Sequence, residues 1–227
     1  DGPRRLKAFN LYYHMYSGEK PAALEAVRRH LNTARKGDYI PIPASHYAAI
    51  ADSFYEVEIR QIADSQWRIS KRGDLQTMRF DDAAELTIDL RASAGVLGEK
   101  RHGKTLYVAL DPDVEEAVVA LRLQKEPVTV AVDDMAEAAI FLIESRWRIS
   151  DLSRADCGFK ATAEGFGPGK MAWQGLAPGK YTLSAKRMSK SLWERELVVD
   201  GSRRLDVIVE SDAINPLTLE LACVRGS

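Results

Sequence analysis

The feature that most constrains this chain is a change of hydrophobic period near Phe54. Before it, Leu24, Val27, Leu31 and Ala34 recur at three and four residues within KPAALEAVRRHLNTARK, which predicts an amphipathic helix. Pro21 suits the first helical turn, where its missing N–H costs nothing, and Gly37 ends the pattern. After Phe54 the period is two. Val57, Ile59 and Ile62 begin it, followed by Trp67 and Ile69, by Leu86, Ile88 and Leu90, by Leu106, Val108 and Leu110, and by Val119, Leu121 and Leu123. Alternation of this kind puts one apolar face on an antiparallel strand.

The rhythm continues toward the C-terminus in Phe159 and Ala161, in Tyr181, Leu183 and Ala185, in Leu205, Val207 and Val209, and in Leu217, Leu219 and Leu221. KRGD, RHGK and DPD between the runs are turn chemistry, whereas DDMAEAAIFLIES fits a helix or a strand equally. Short strands without crossover helices predict a mainly β chain of antiparallel β-sandwich modules. A short βα unit precedes them: AFNLYYHMY as a buried strand, the helix, and a second short helix in PIPASHYAAIADSF, capped by Ser45 and ending near Ser53. The expected units are residues 1–53, 54–126 and 127–227. SQWRIS at Ser65 to Ser70 returns as SRWRIS at Ser145 to Ser150, which suggests two related or analogous β modules.

Among 227 residues, 32 lysines and arginines nearly balance 33 acids, for a formal net charge of -1. Such a balance gives no electrostatic reason to expect nucleic acid or an anionic membrane as partner. The basic cluster Lys186, Arg187, Lys190 reads as a solvated strand end or loop. No apolar run approaches the ~20 residues needed for a membrane span, and DGPRRLKAFN lacks the apolar centre of a signal peptide. The absence of an initiator Met suggests a piece of a longer protein. Cys157 and Cys223 show no metal-binding spacing, and two buried thiols or a disulfide are both open.

NLYYHMYSGEKPAALEAVRRHL followed by PIPASHYAAIADSF resembles the end of the catalytic domain of Pel-type exopolysaccharide deacetylases, relatives of the NodB-type polysaccharide deacetylases with a distorted β/α barrel. GVLGEKRHGKTLYVALD resembles the β-rich region that follows that barrel, so the likeness covers residues 7 to about 125. GLAPGKYTLSAK resembles prealbumin-like modules of the carboxypeptidase regulatory type, a signal that many sandwiches share. The resemblance implies that residues 1–53 close a β/α barrel and that His14 is a general acid, giving its proton to the leaving amine; an imidazole suits that task. The alternative is a histidine satisfied inside a core. The family needs a divalent metal, usually held by an aspartate and two histidines. This chain has histidines only at 14, 30, 46 and 102, with no ligand set, so no cofactor is expected in it and the metal would belong to the parent enzyme. RFDDA resembles the family's T-F-D-D motif but stands after the barrel's end, and Asp81 and Asp82 read as turn residues. FGPGK lacks Walker spacing and reads as a loop.

Aromatic rings can stack on sugars. By parity Trp67 goes with Ile69, Trp147 with Ile149 and Trp193 with Leu197, all core faces; Trp173, between a glycine-rich loop and GLAPGK, is the candidate for exposure and sugar binding, with Tyr16 beside the barrel mouth. The resulting expectation is the non-catalytic C-terminal accessory region of a periplasmic deacetylase. It would support the upstream deacetylase domain of the same protein or bind an amino-sugar exopolysaccharide, with no enzymatic activity of its own. The alternative is a docking or structural module of an envelope or secretion complex, marked by an apolar patch without polar partners.

Overall fold

The computed structural model describes residues 8–37, 39–124, 140–155, 157–165, 167–210 and 215–224. Most of DDMAEAAIFLIES lies outside the described residues; its end is a strand. The first element is a 3-10 turn, Met15–Gly18, followed by α1 (Pro21–Lys36) and α2 (Ala44–Glu56). The strand expected in AFNLYYHMY is absent: residues 8–14 have no regular structure, and the Ser17 N–H donates to the His14 carbonyl at 2.9 Å. A strand needs a neighbour to take its backbone groups, and no described strand pairs with this segment. The N-terminal part is therefore helical. α1 follows the predicted bounds, with Pro21 in its first turn. α2 starts earlier than expected, with Pro43 at the N-cap position, so Ser45 lies inside the helix and caps nothing. Ser53 instead ties α2 to the β region by accepting the Asp74 N–H at 3.0 Å.

Three sheets follow. The first has four strands, in the order β1 (Glu58–Ala63), β2 (Gln66–Ser70), β7 (Ala117–Leu123) and β4 (Leu86–Ile88). The second has six: β14 (Arg204–Val209), β11 (Gly169–Gln174), β8 (Phe141–Ser145), β5 (Val96–His102), β6 (Thr105–Leu110) and β3 (Thr77–Phe80). The third has five: β13 (Lys190–Val199), β12 (Gly179–Arg187), β15 (Leu217–Cys223), β10 (Gly158–Glu164) and β9 (Arg148–Ala155). The chain is thus mainly β, with antiparallel sheets and no closed barrel. One pair departs from that rule: β5 and β8 run parallel, meeting at Gly98 and Leu142.

The six-stranded sheet is a wall shared by two cores. Leu106, Val108 and Leu110 of β6 pack with Ile69, Val119 and Leu121 of the four-stranded sheet. Leu142, Met171 and Trp173 pack with Phe159, Leu183 and Leu219 of the five-stranded sheet. Adjacent residues of one strand serve different cores, as Val96 and Leu97 do in β5, because successive side chains leave opposite faces of a strand. The smaller sheets therefore cover opposite faces of the wall, at opposite ends. The predicted boundary at 126/127 separates its two halves in sequence, and the β5–β8 seam rejoins them.

Two arginines bind the layers through backbone carbonyls. Arg154 of β9 donates to the Val96 and Leu97 carbonyls at 3.1 and 3.3 Å, linking the five-stranded sheet to the wall. Arg72, 1% exposed, donates to the carbonyls of Leu75, Asp111 and Val114. Burial pulls both guanidinium pKa values below their ordinary range. Cys157 and Cys223 form a disulfide, their Cα atoms 5.7 Å apart, which closes the ends of neighbouring strands β10 and β15; the reading as two free thiols is set aside. The repeated hexapeptide puts Ile69 and Ile149 into different cores as parity predicts, but its settings differ. SQWRIS follows the turn of the β1–β2 hairpin, whereas SRWRIS carries the chain from one sheet to another.

Candidate functional site

His14 stands on the surface, not in a core. Its ring stacks on Tyr16 with centroids 4.8 Å apart and meets Tyr12 edge-on at 5.1 Å. Tyr12 is 78% exposed, Met15 92% and Tyr16 63%. The 3-10 turn creates this cluster by turning the chain back on itself just after His14. α1 packs against that turn, but no residue of α1 is buried, and Leu31 on its apolar stripe is 46% exposed. Neither β core includes a residue of this stripe. Most of the exposed large apolar side chains among the described residues fall between Phe9 and Ile62, including Phe54, Tyr55 and Ile59 near the start of the β region.

Trp173 is 0% exposed, which removes it as a sugar platform. KMAWQ is a central strand rather than a loop. Its tryptophan, paired in register with Leu142 and Leu205 on either side, stacks on Phe159 with centroids 4.0 Å apart. Trp147 is buried as parity predicted, and two glycines that flank the FGPGK turn or lie in it explain how. A Cβ at Gly165 or Gly169 would collide with the indole, so these glycines let the backbone lie flat on the ring. Trp67 and Trp193 are partly buried against their cores, and the Arg195 guanidinium sits 4.7 Å over the Trp193 ring. Asp81 and Asp82 are turn residues, as read.

A crevice of about 540 Å³ lies where the helical part meets the wall. One side is the extended segment Ile40–Pro43 with His46 at the start of α2; the other is formed by β5, β6 and β8 with Trp147 and Arg148. Arg146 holds that segment by donating to the Tyr39 carbonyl at 3.0 Å and ties it to the glycine loop through the Pro168 carbonyl at 3.1 Å. Ile-Pro-Ile-Pro was the one available signal, since alternate prolines lack N–H donors and hold an extended chain outside a sheet. Inside the crevice Lys100 pairs with Glu144, which Lys170 also approaches at 3.8 Å. The Lys100 hydrogen bond holds the Glu144 carboxyl below the usual carboxylate range. Arg148 pairs with Asp113 at 3.2 Å and Glu164 at 3.6 Å. Gln76 Nε2 and His46 Nε2 meet at 3.4 Å.

No group of three or more His, Cys, Asp or Glu among the described residues could hold a metal ion, and no described helix is long and apolar enough to cross a membrane. No family model and no curated protein matches the chain.

Proposed function

We propose that the chain is the β-rich accessory region of a NodB-type polysaccharide deacetylase of the exopolysaccharide-processing kind, and that its helical part completes the catalytic body of that enzyme. The observation that carries this reading is the uneven distribution of exposed apolar surface. The sheets close two cores of their own, while the stretch from Phe9 to Ile62 leaves Tyr12, Met15, Phe54 and Tyr55 more than half exposed. Exposed apolar side chains concentrated in one stretch of chain favour a protein interface. In this reading a barrel upstream covers it, and His14 on that same surface reaches the barrel's substrate as general acid. The divalent metal belongs to that upstream domain, and the substrate is an acetylated amino-sugar polymer. The disulfide supports an oxidising compartment such as the periplasm.

The test is kinetic. In the full-length parent protein, His14→Gln should lower kcat for acetate release from N-acetylglucosamine oligomers by about 100-fold or more while KM changes little, the usual weight of a general acid. An unchanged kcat removes His14 from the chemistry. The apolar surface itself equally favours a second reading, a docking module for another envelope protein, which predicts a stable complex insensitive to His14→Gln.

A further inference from the structure

The crevice between the Ile40–Pro43 segment and the wall is a built concavity that the interface reading does not use. Its volume, about 540 Å³, lies within the range of about 300–1,000 Å³ common for small-ligand sites. Its lining has aliphatic parts, Ala109 from the sheet and Ile42 from the facing segment. Trp147 also lines it, but at 3% exposure offers no ring face to an aromatic ligand.

Charge narrows the class further. Glu144 is held by Lys100 and Lys170, Arg148 by Asp113 and Glu164, and Glu99 accepts from Thr87 Oγ1 and the Ile88 N–H. An ionic ligand would have to break such pairs, and their desolvation would then count against binding. Gln76 and His46 remain as adaptable donors and acceptors: their mutual contact is long, and His46 reaches Asp74 only at 3.9 Å. A ligand that fits is neutral, has one apolar face, and carries groups that both donate and accept hydrogen bonds. A pyranose ring has those properties.

We propose that this crevice binds one neutral pyranose unit, its C–H face on Ala109 and Ile42 and its hydroxyl or amide groups on Gln76 and His46. Resting on the function proposed above, the unit is an N-acetylated hexosamine of the polymer, held where the helical part meets the sheets. A sugar site then lies in the β region's own wall, away from the buried Trp173.

The experiment is a ¹H–¹⁵N NMR titration of this chain with N-acetylglucosamine trimer and, in parallel, glucosamine trimer, each at about 50 and about 500 mM salt, where screening differs strongly. The expected result is saturable shifts at Ile42, Gln76, Gly98 and Glu144, tighter for the acetylated trimer and little altered by salt. Gln76→Ala and Ile42→Ser should each weaken affinity about tenfold, the loss of one modest contact, with shifts elsewhere showing the fold intact. Absence of saturation overturns the site. So do shifts that centre on Tyr12 and Tyr16, or binding of the glucosamine trimer alone that salt abolishes. None of these outcomes bears on kcat of His14→Gln in the parent protein, so the two proposals fail separately.

Discussion

Tryptophans show what a single residue's parity can and cannot tell. Trp147 was legible because Ile149 two positions on fixes its face, while Trp173 was misread because the glycine-rich loop before it hid the start of a strand. A ring stacked on Phe159 and 0% exposed is core material. Trp173→Ala should therefore cost about 3–5 kcal/mol of stability, as large-to-small core changes do, measured by urea unfolding. Any sugar binding should survive at temperatures where the variant remains folded. Glu144 gives a pH test. Its folded pKa is depressed, chiefly by the Lys100 hydrogen bond, so its contribution is present above the ordinary carboxylate range and is lost as pH falls through the folded value. Glu144→Gln should accordingly melt below the parent chain at neutral pH, and the gap should close on acidification below about pH 4.

At the scale of elements, the alternating strands were visible because period two needs only local sequence. Strand partners were not, and partners decide whether a segment becomes a strand at all. AFNLYYHMY has the apolar content of a buried strand but no described neighbour to pair with, so it stays irregular up to His14. α1 has the expected stripe, yet nothing described buries it. The disulfide was open in sequence for the same reason: only the antiparallel pairing of β10 with β15 brings Cys157 beside Cys223. The bridge spans 66 residues. Reduction, or the paired Cys157→Ser and Cys223→Ser change, should lower the unfolding free energy by about 2–4 kcal/mol, read from urea titrations with and without reductant.

For the whole molecule the decisive contact is the β5–β8 seam. Gly98 there is not in a left-handed conformation; it is needed because a Cβ would overlap the Leu142 backbone. Gly98→Ala should part the strands, cost about 3 kcal/mol or more as an overpacked site does, and split one calorimetric transition into two as the cores uncouple. What the sequence by itself determined is the alternation: helical period before Phe54, strand period after it, turns at KRGD, RHGK and DPD, and the buried isoleucines of both hexapeptides. Those are local properties, set by the few residues around each position. What only the tertiary structure decided is which strands are neighbours, and with it the shared wall, the disulfide, the burial of Trp173, the crevice and the uncovered aromatic surface around His14. Each of these joins residues far apart in sequence, and a hydrophobic period records that a face is apolar but not what packs against it.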